Sequence, residues 1–247
     1  MAVLKGVGLL VIINCAITMP LLNLPAATLY DKPVPKTAFY KHFDLNAKMK
    51  QRFVEDVAAI RWLYKLAPST LNVDDGKQVH EIVLFLAQLK QRDCPNDIFL
   101  TIDQKMPRHV LFLLEYDGQY KMLLNYKEWK DEANGLFSIV KTFATQWLTE
   151  QQLSLTLDGQ TMDALYESFA GQISGFGTTK AEDTKRMVEL ENLITKAKRE
   201  VESLQKKIRA EQPLNRQMEL NGQARNLKKQ IEIWQNEWNE LKNNPPT

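Results

Sequence analysis

Arg108–Tyr126 reads RHVLFLLEYDGQYKMLLNY, two apolar runs separated by Asp117-Gly118. A type I′ turn needs positive φ at both central positions, and Asp-Gly adopts it readily, so the stretch predicts a β-hairpin. Upstream, Val79–Lys90 (VHEIVLFLAQLK) puts Ile82, Leu84 and Leu86 in one register and Val83 and Phe85 in the other. A strand buried on both faces has this pattern. Phe137–Leu148 and Leu153–Leu157 read as further strands. Asn96 can cap a short helix ending near Lys105, and Asp158-Gly159 makes a turn before an amphipathic helix, Thr161–Ile173. Closer to the N-terminus, Met49, Phe53, Val57, Ile60 and Tyr64 recur every three or four residues, which predicts a helix over 46–66, capped by Asp44 and stopped by Pro68. Pro20, Pro25, Pro33 and Pro35 make 20–43 an extended arm lying on the body. The body is therefore α+β, a mostly antiparallel sheet with flanking helices.

Past this body, Gly171, Gly175 and Gly177, with Thr178 and Thr179, read as a flexible linker. Then Met187, Leu190, Ile194, Ala197, Val201, Leu204 and Ile208 step by three and four, a heptad seam. Leu220, Ala224, Leu227, Ile231, Trp234, Trp238 and Leu241 repeat the pattern. The two registers do not join across Glu211–Arg216, where Pro213 sits, so the expectation is a C-terminal antiparallel helical (coiled-coil) hairpin. The rival is a nearly continuous rod that forms a homodimer through the coiled coil. The division is then 1–18 as a leader or a mis-assigned start extension, 19–175 as the α+β domain and 181–243 as the coiled-coil hairpin.

The composition is ordinary for a globular chain of 247 residues, with 25% charged residues and a net charge of +2. That excludes a wholly disordered chain and a global field steering the molecule onto nucleic acid or an anionic membrane. The run Val7–Ile17 is too short to span a bilayer. Residues 1–18 support three readings: an extension from an upstream start with Met19 as the natural one, a signal peptide with a poor cleavage site, or a short buried segment. Two cysteines, Cys15 and Cys94, provide no disulfide framework and no metal pair. His42, His80 and His109 lie far apart, so no metal or cofactor site is expected.

Three patterns could carry chemistry. Asp75, Glu81, Gln88 and Lys90 approximate the acid…acid-x-Lys spacing of metal-dependent nucleases, in which two carboxylates hold Mg²⁺ and the lysine supports the attacking water. Gln88 stands where the second acid belongs and is a weaker ligand for a hard cation. Serine or cysteine nucleophile motifs are absent from the sequence. Basic residues on the two coil helices, Lys206, Lys207, Lys228 and Lys229 among them, are candidate nucleic-acid contacts. Glutamates interspersed among them make a solvated coiled-coil face the plainer reading, and the seam places Trp234 and Trp238 in packing rather than base stacking.

Four segments taken together, PKTAFYKHFDL (35–45), IRWLYKLAPSTLNV (60–73), MPRHVLFLLEYDGQYKMLLNYKEW (106–129) and LNRQMELNGQARNLKKQIE (214–232), carry a resemblance. The chain resembles the bacterial domain of unknown function (DUF) 4391 family from Met19 to Leu241. The family has no established active site, and its strand corresponding to 79–90 commonly ends acid-x-Lys, from which Gln88 departs. Its members are often encoded beside helicases and DNA methyltransferases in restriction-like or phage-defence clusters. The resemblance thus implies a cytoplasmic accessory subunit. With the coiled-coil arm, the preferred reading is a non-enzymatic adaptor that docks a helicase or methyltransferase through that arm, away from any membrane. The alternative is a nucleic-acid-binding or degenerate nuclease subunit.

Overall fold

The computed structural model describes residues 21–43, 45–131, 136–178 and 180–243. The expectations for the leader, Met19 and Asp44 fall outside them.

The strands are β1 (Leu29–Pro33), β2 (Val57–Leu66), β3 (Ile82–Leu89), β4 (His109–Tyr116), β5 (Gln119–Asp131), β6 (Leu136–Ala144) and β7 (Leu148–Thr149). They form one sheet in the order β1-β2-β3-β4-β5-β6, with β7 pairing with β5. Among the described strands only β3 and β4 run parallel, joined by helix α3 (Asp97–Lys105) as a parallel pair requires. Asp117 (φ 50°) and Gly118 (φ 70°) make the expected β4–β5 turn.

The double alternation in β3 and β4 builds a three-layer body. Leu84, Leu86, Leu111 and Leu113 face one core, closed by α4 (Met162–Ser174). Val83, Phe85, Val110 and Phe112 face the other, closed by α1 (Lys36–Phe43), α2 (Ala47–Asp56) and α3.

Four local expectations are corrected. The helix read over 46–66 stops at Asp56, and Val57–Leu66 is β2, paired with β3. Phe53, Val57, Ile60 and Tyr64 are all buried, so their spacing fits burial in either conformation. Asn46 is the cap, its side chain accepting from the Met49 amide at 2.8 Å. The 20–43 arm contains β1 and α1, because Pro35 opens a helix, where its missing N–H costs nothing. Leu153–Leu157 joins no ladder; instead the Gln172 side chain accepts from the Thr156 amide and donates to its carbonyl, both at 2.9 Å. The strand read over Phe137–Leu148 ends at Ala144.

The C-terminal hairpin is observed. α5 (Ala181–Ala210) and α6 (Leu214–Asn243) are 30 residues each, about 45 Å at 1.5 Å per residue. Glu182 and Asp183 sit in the first turn of α5 and Lys207 and Arg209 in its last, complementing the helix dipole. At the base, Met187 and Val188 enter the α4-side core, and Trp238 and Leu241 pack against it. Farther out the seam closes on itself in two small clusters, one around Ala197, Val201 and Ile231 and one around Leu204, Leu220 and Ala224. The glycine-rich connection is packed: Gly175 ends α4 in the left-handed region (φ 72°), while Phe176 and Thr178 are buried.

Candidate functional site

The arm offers one surface. Its seam side chains meet within the chain: Ile194, Leu227 and Trp234 join the middle cluster and Ile208 the outer one. Trp238 stands edge-on to Phe176 at 6.0 Å. At the free end, Leu214 and Met218 lie one turn apart on α6 and are 68% and 65% exposed. Lys206, Lys207, Lys228 and Lys229 are all exposed on the shaft.

The nuclease-like residues are not brought together. Asp75 and Glu81 stand before β3, whereas Gln88 and Lys90 are at its far end, about 25 Å away along an eight-residue strand. Asp75 bonds to His80 at 2.9 Å, which holds its carboxyl below the usual range. Glu81 pairs with Arg108 at 3.1 Å and Lys65 at 3.3 Å. Lys90 donates to the Val54 carbonyl at 2.6 Å. Among the described residues, no group of three His, Cys, Asp or Glu side chains could hold a metal ion. Burial pushes the Cys94 thiol up to about 11, far from thiolate reactivity.

A second locus, unmarked by any motif, is a cleft of about 320 Å³ where the sheet end, the start of α4 and the start of α5 meet. Lys77, His109, Lys127, Asp163, Tyr166, Glu167 and Lys185 line it. At its floor the Lys127 ammonium is wholly buried and pairs at 2.5 Å with Asp103, also wholly buried. Its remaining protons go to the carbonyls of Arg108 (2.8 Å) and Met106 (3.1 Å), so its donors are used. Burial raises Asp103 to about 6, against the attraction of Lys127. Burial also lowers His109 to about 3, so it is neutral at physiological pH. The Tyr166 hydroxyl donates to the Asn125 carbonyl and accepts from the Lys127 amide, each at 3.0 Å. It thereby satisfies backbone groups beside the β5 irregularity at Tyr126/Lys127. Asp163 accepts from the amides of Lys77, Gln78 and Val79 at 2.7, 3.0 and 2.7 Å, pinning the loop before β3.

Glu167 differs from these saturated groups. Its Oε1 accepts from the Tyr126 hydroxyl at 2.6 Å, but its Oε2 is buried without a hydrogen-bond partner among the described residues. Burial raises its carboxyl to about 7, the Tyr126 hydrogen bond and Lys185 opposing. A carboxyl raised in the folded state contributes stability that is present below about 4.5 and lost as pH rises through about 7. Glu167→Gln keeps an acceptor for Tyr126 and removes the charge. The variant should therefore lose less stability than the parent between pH 5 and pH 8, by up to about 3 kcal/mol. Parallel thermal melts check this; identical slopes would mean Glu167 is solvated.

The sequence signal for this cleft is faint. Asp103 sits among the apolar-face positions Phe99 and Ile102 of α3, and Lys127 follows a largely apolar run within β5, both suggesting buried partners.

The family model described as Domain of unknown function (DUF4391) matches residues 22–231. No curated protein and no solved structure matches the chain.

Proposed function

Since the chain belongs to the DUF4391 family, we propose that it is a non-enzymatic accessory subunit, cytoplasmic, whose hairpin arm docks a helicase or DNA methyltransferase subunit of a restriction-like or phage-defence system. The observation that carries this reading is the free end of the arm. A two-helix shaft rooted in the body core presents Leu214 and Met218 to solvent, an i,i+4 apolar pair with none of the described residues over it. Removing apolar surface of that kind from water favours association with a protein partner. The root also makes the arm a lever of fixed direction, since Met187, Val188, Trp238 and Leu241 pack on the body. No helix among the described residues is long and apolar enough to cross a membrane.

The test is co-expression with a helicase or DNA methyltransferase of the kind often encoded beside members of the family. Tagged parent and a Leu214→Glu/Met218→Glu variant are compared by gel filtration. The parent should co-elute with that partner and the variant should lose most of the complex, about 100-fold in affinity for two apolar side chains replaced by charges. The substitutions lie on an exposed turn and should leave the melting temperature unchanged. Equal co-elution of both proteins would overturn the reading.

A further inference from the structure

We infer that the distal half of the hairpin arm is a binding rod for the phosphate backbone of a duplex nucleic acid, engaged without reading base sequence. Residues 195–230 carry ten Lys and Arg against four Glu, a net of +6 in a chain whose total is +2. The base of the same hairpin, 181–194 with 231–243, carries three basic residues against seven acidic ones, a net of −4. A solvated coiled-coil face interleaves opposite charges one turn apart; the four glutamates of the distal half do so, and six basic side chains remain there in excess. All ten basic side chains of the distal half are exposed. Among the described residues only Arg216 is ion-paired, to Glu219. At the base, by contrast, Arg186 is held by Glu237 at 2.7 Å and Glu189 at 3.2 Å.

The chemistry of the shaft selects the occupant. A membrane surface would need an unpartnered apolar helix face, and the seam consumes that face. A protein interface core depletes lysine and needs apolar or aromatic anchors. Between its base and the tip pair, the described shaft exposes no large apolar side chain. Single-stranded nucleic acid binds on stacking aromatics, and Trp234 and Trp238 are committed to packing. What remains is a stiff cationic rod rich in exposed Asn and Gln, which suits phosphate oxygens. The 16 residues of α5 beyond Ile194 span about 24 Å, roughly seven base pairs of duplex. The inference does not rest on the partner reading, because Leu214 and Met218 lie at the tip and carry no charge.

The test is fluorescence anisotropy of a labelled duplex of about 30 base pairs of random sequence, titrated with full-length protein over a range of salt. Duplex DNA and duplex RNA are run in parallel. The parent should bind at least one of them at low salt, with log K falling linearly against log salt. Reversing Lys206, Lys207, Lys228 and Lys229 to Glu should weaken binding more than tenfold and reduce the salt slope by about one for each phosphate no longer neutralised. Reversing the exposed Lys41, Lys48, Lys77 and Lys105 of the body changes net charge equally and should leave most of the binding. The Leu214→Glu/Met218→Glu variant adds two charges near the rod and should retain binding within a few-fold. Absence of binding by the parent to either duplex overturns the inference. So does equal weakening by the arm and body reversals, which would leave only net charge.

Discussion

Asp103→Ala is expected to destabilise the protein by about 3–5 kcal/mol, visible as a lower urea midpoint at unchanged m. The cause is the Lys127 ammonium, which has no exposed surface and, among the described residues, Asp103 as its only charged partner within 4 Å. Removing the carboxylate leaves an uncompensated charge in the interior, or forces the lysine to neutralise. Burial already lowers the Lys127 pKa against the pull of Asp103, so the truncated variant should titrate this lysine nearer neutrality and regain some stability at alkaline pH. Lys127→Met should cost a similar amount by a different route. It leaves the Arg108 and Met106 carbonyls without their donor as well as stranding Asp103. A double replacement, Asp103→Leu with Lys127→Met, removes both charges and should recover part of the loss. Recovery stays incomplete because the two carbonyls remain unpaired. A cost below about 1 kcal/mol for Asp103→Ala would show that water reaches the pair.

The same pair marks where the sequence stops being legible. Strands β3 and β4 are readable because burial on both faces leaves a continuous apolar run, and the hairpin because Asp117-Gly118 admits one turn geometry. The arm is readable because a heptad stripe must be covered by something. By contrast, Val57–Leu66 reads equally well as the end of a helix, since Phe53, Val57, Ile60 and Tyr64 satisfy the helical period. The β-branched and aromatic residues of that stretch favour a strand, and pairing with β3 decides the matter. The cleft is unreadable for another reason: its side chains come from a loop, two strands and two helices, and no local spacing links them. Taking charge along the arm helix by helix averages away the separation between base and shaft. The antiparallel fold aligns the basic end of α5 with the basic start of α6.

Gly171→Val is expected to cost about 3 kcal/mol or more, and to loosen the arm from the body before the sheet melts. A Cβ at Gly171 would lie 2.3 Å from the Thr178 carbonyl oxygen and 2.6 Å from the Thr184 hydroxyl. The first contact is backbone, so no side-chain rotation relieves it; α4 and the start of α5 must separate. Overpacking of this kind costs about 1–3 kcal/mol in cores that can adjust, and a β-branched residue inside a helix adds to it. The separation would also loosen the packing of Met187 and Val188 against α4-side residues such as Phe169 and Ile173. Those residues hold the root of the arm, whereas the outer clusters involve α5 and α6 alone and need no body contact. Hydrogen exchange should therefore rise first in residues 176–190 and 236–243, with β3 and β4 still protected. Gly171→Ala should show the same pattern with a smaller loss. If both variants lose protection uniformly, root and body form one cooperative unit. If neither changes, the close approach of α4 to α5 is not what fixes the direction of the arm, and a partner would have to fix it instead.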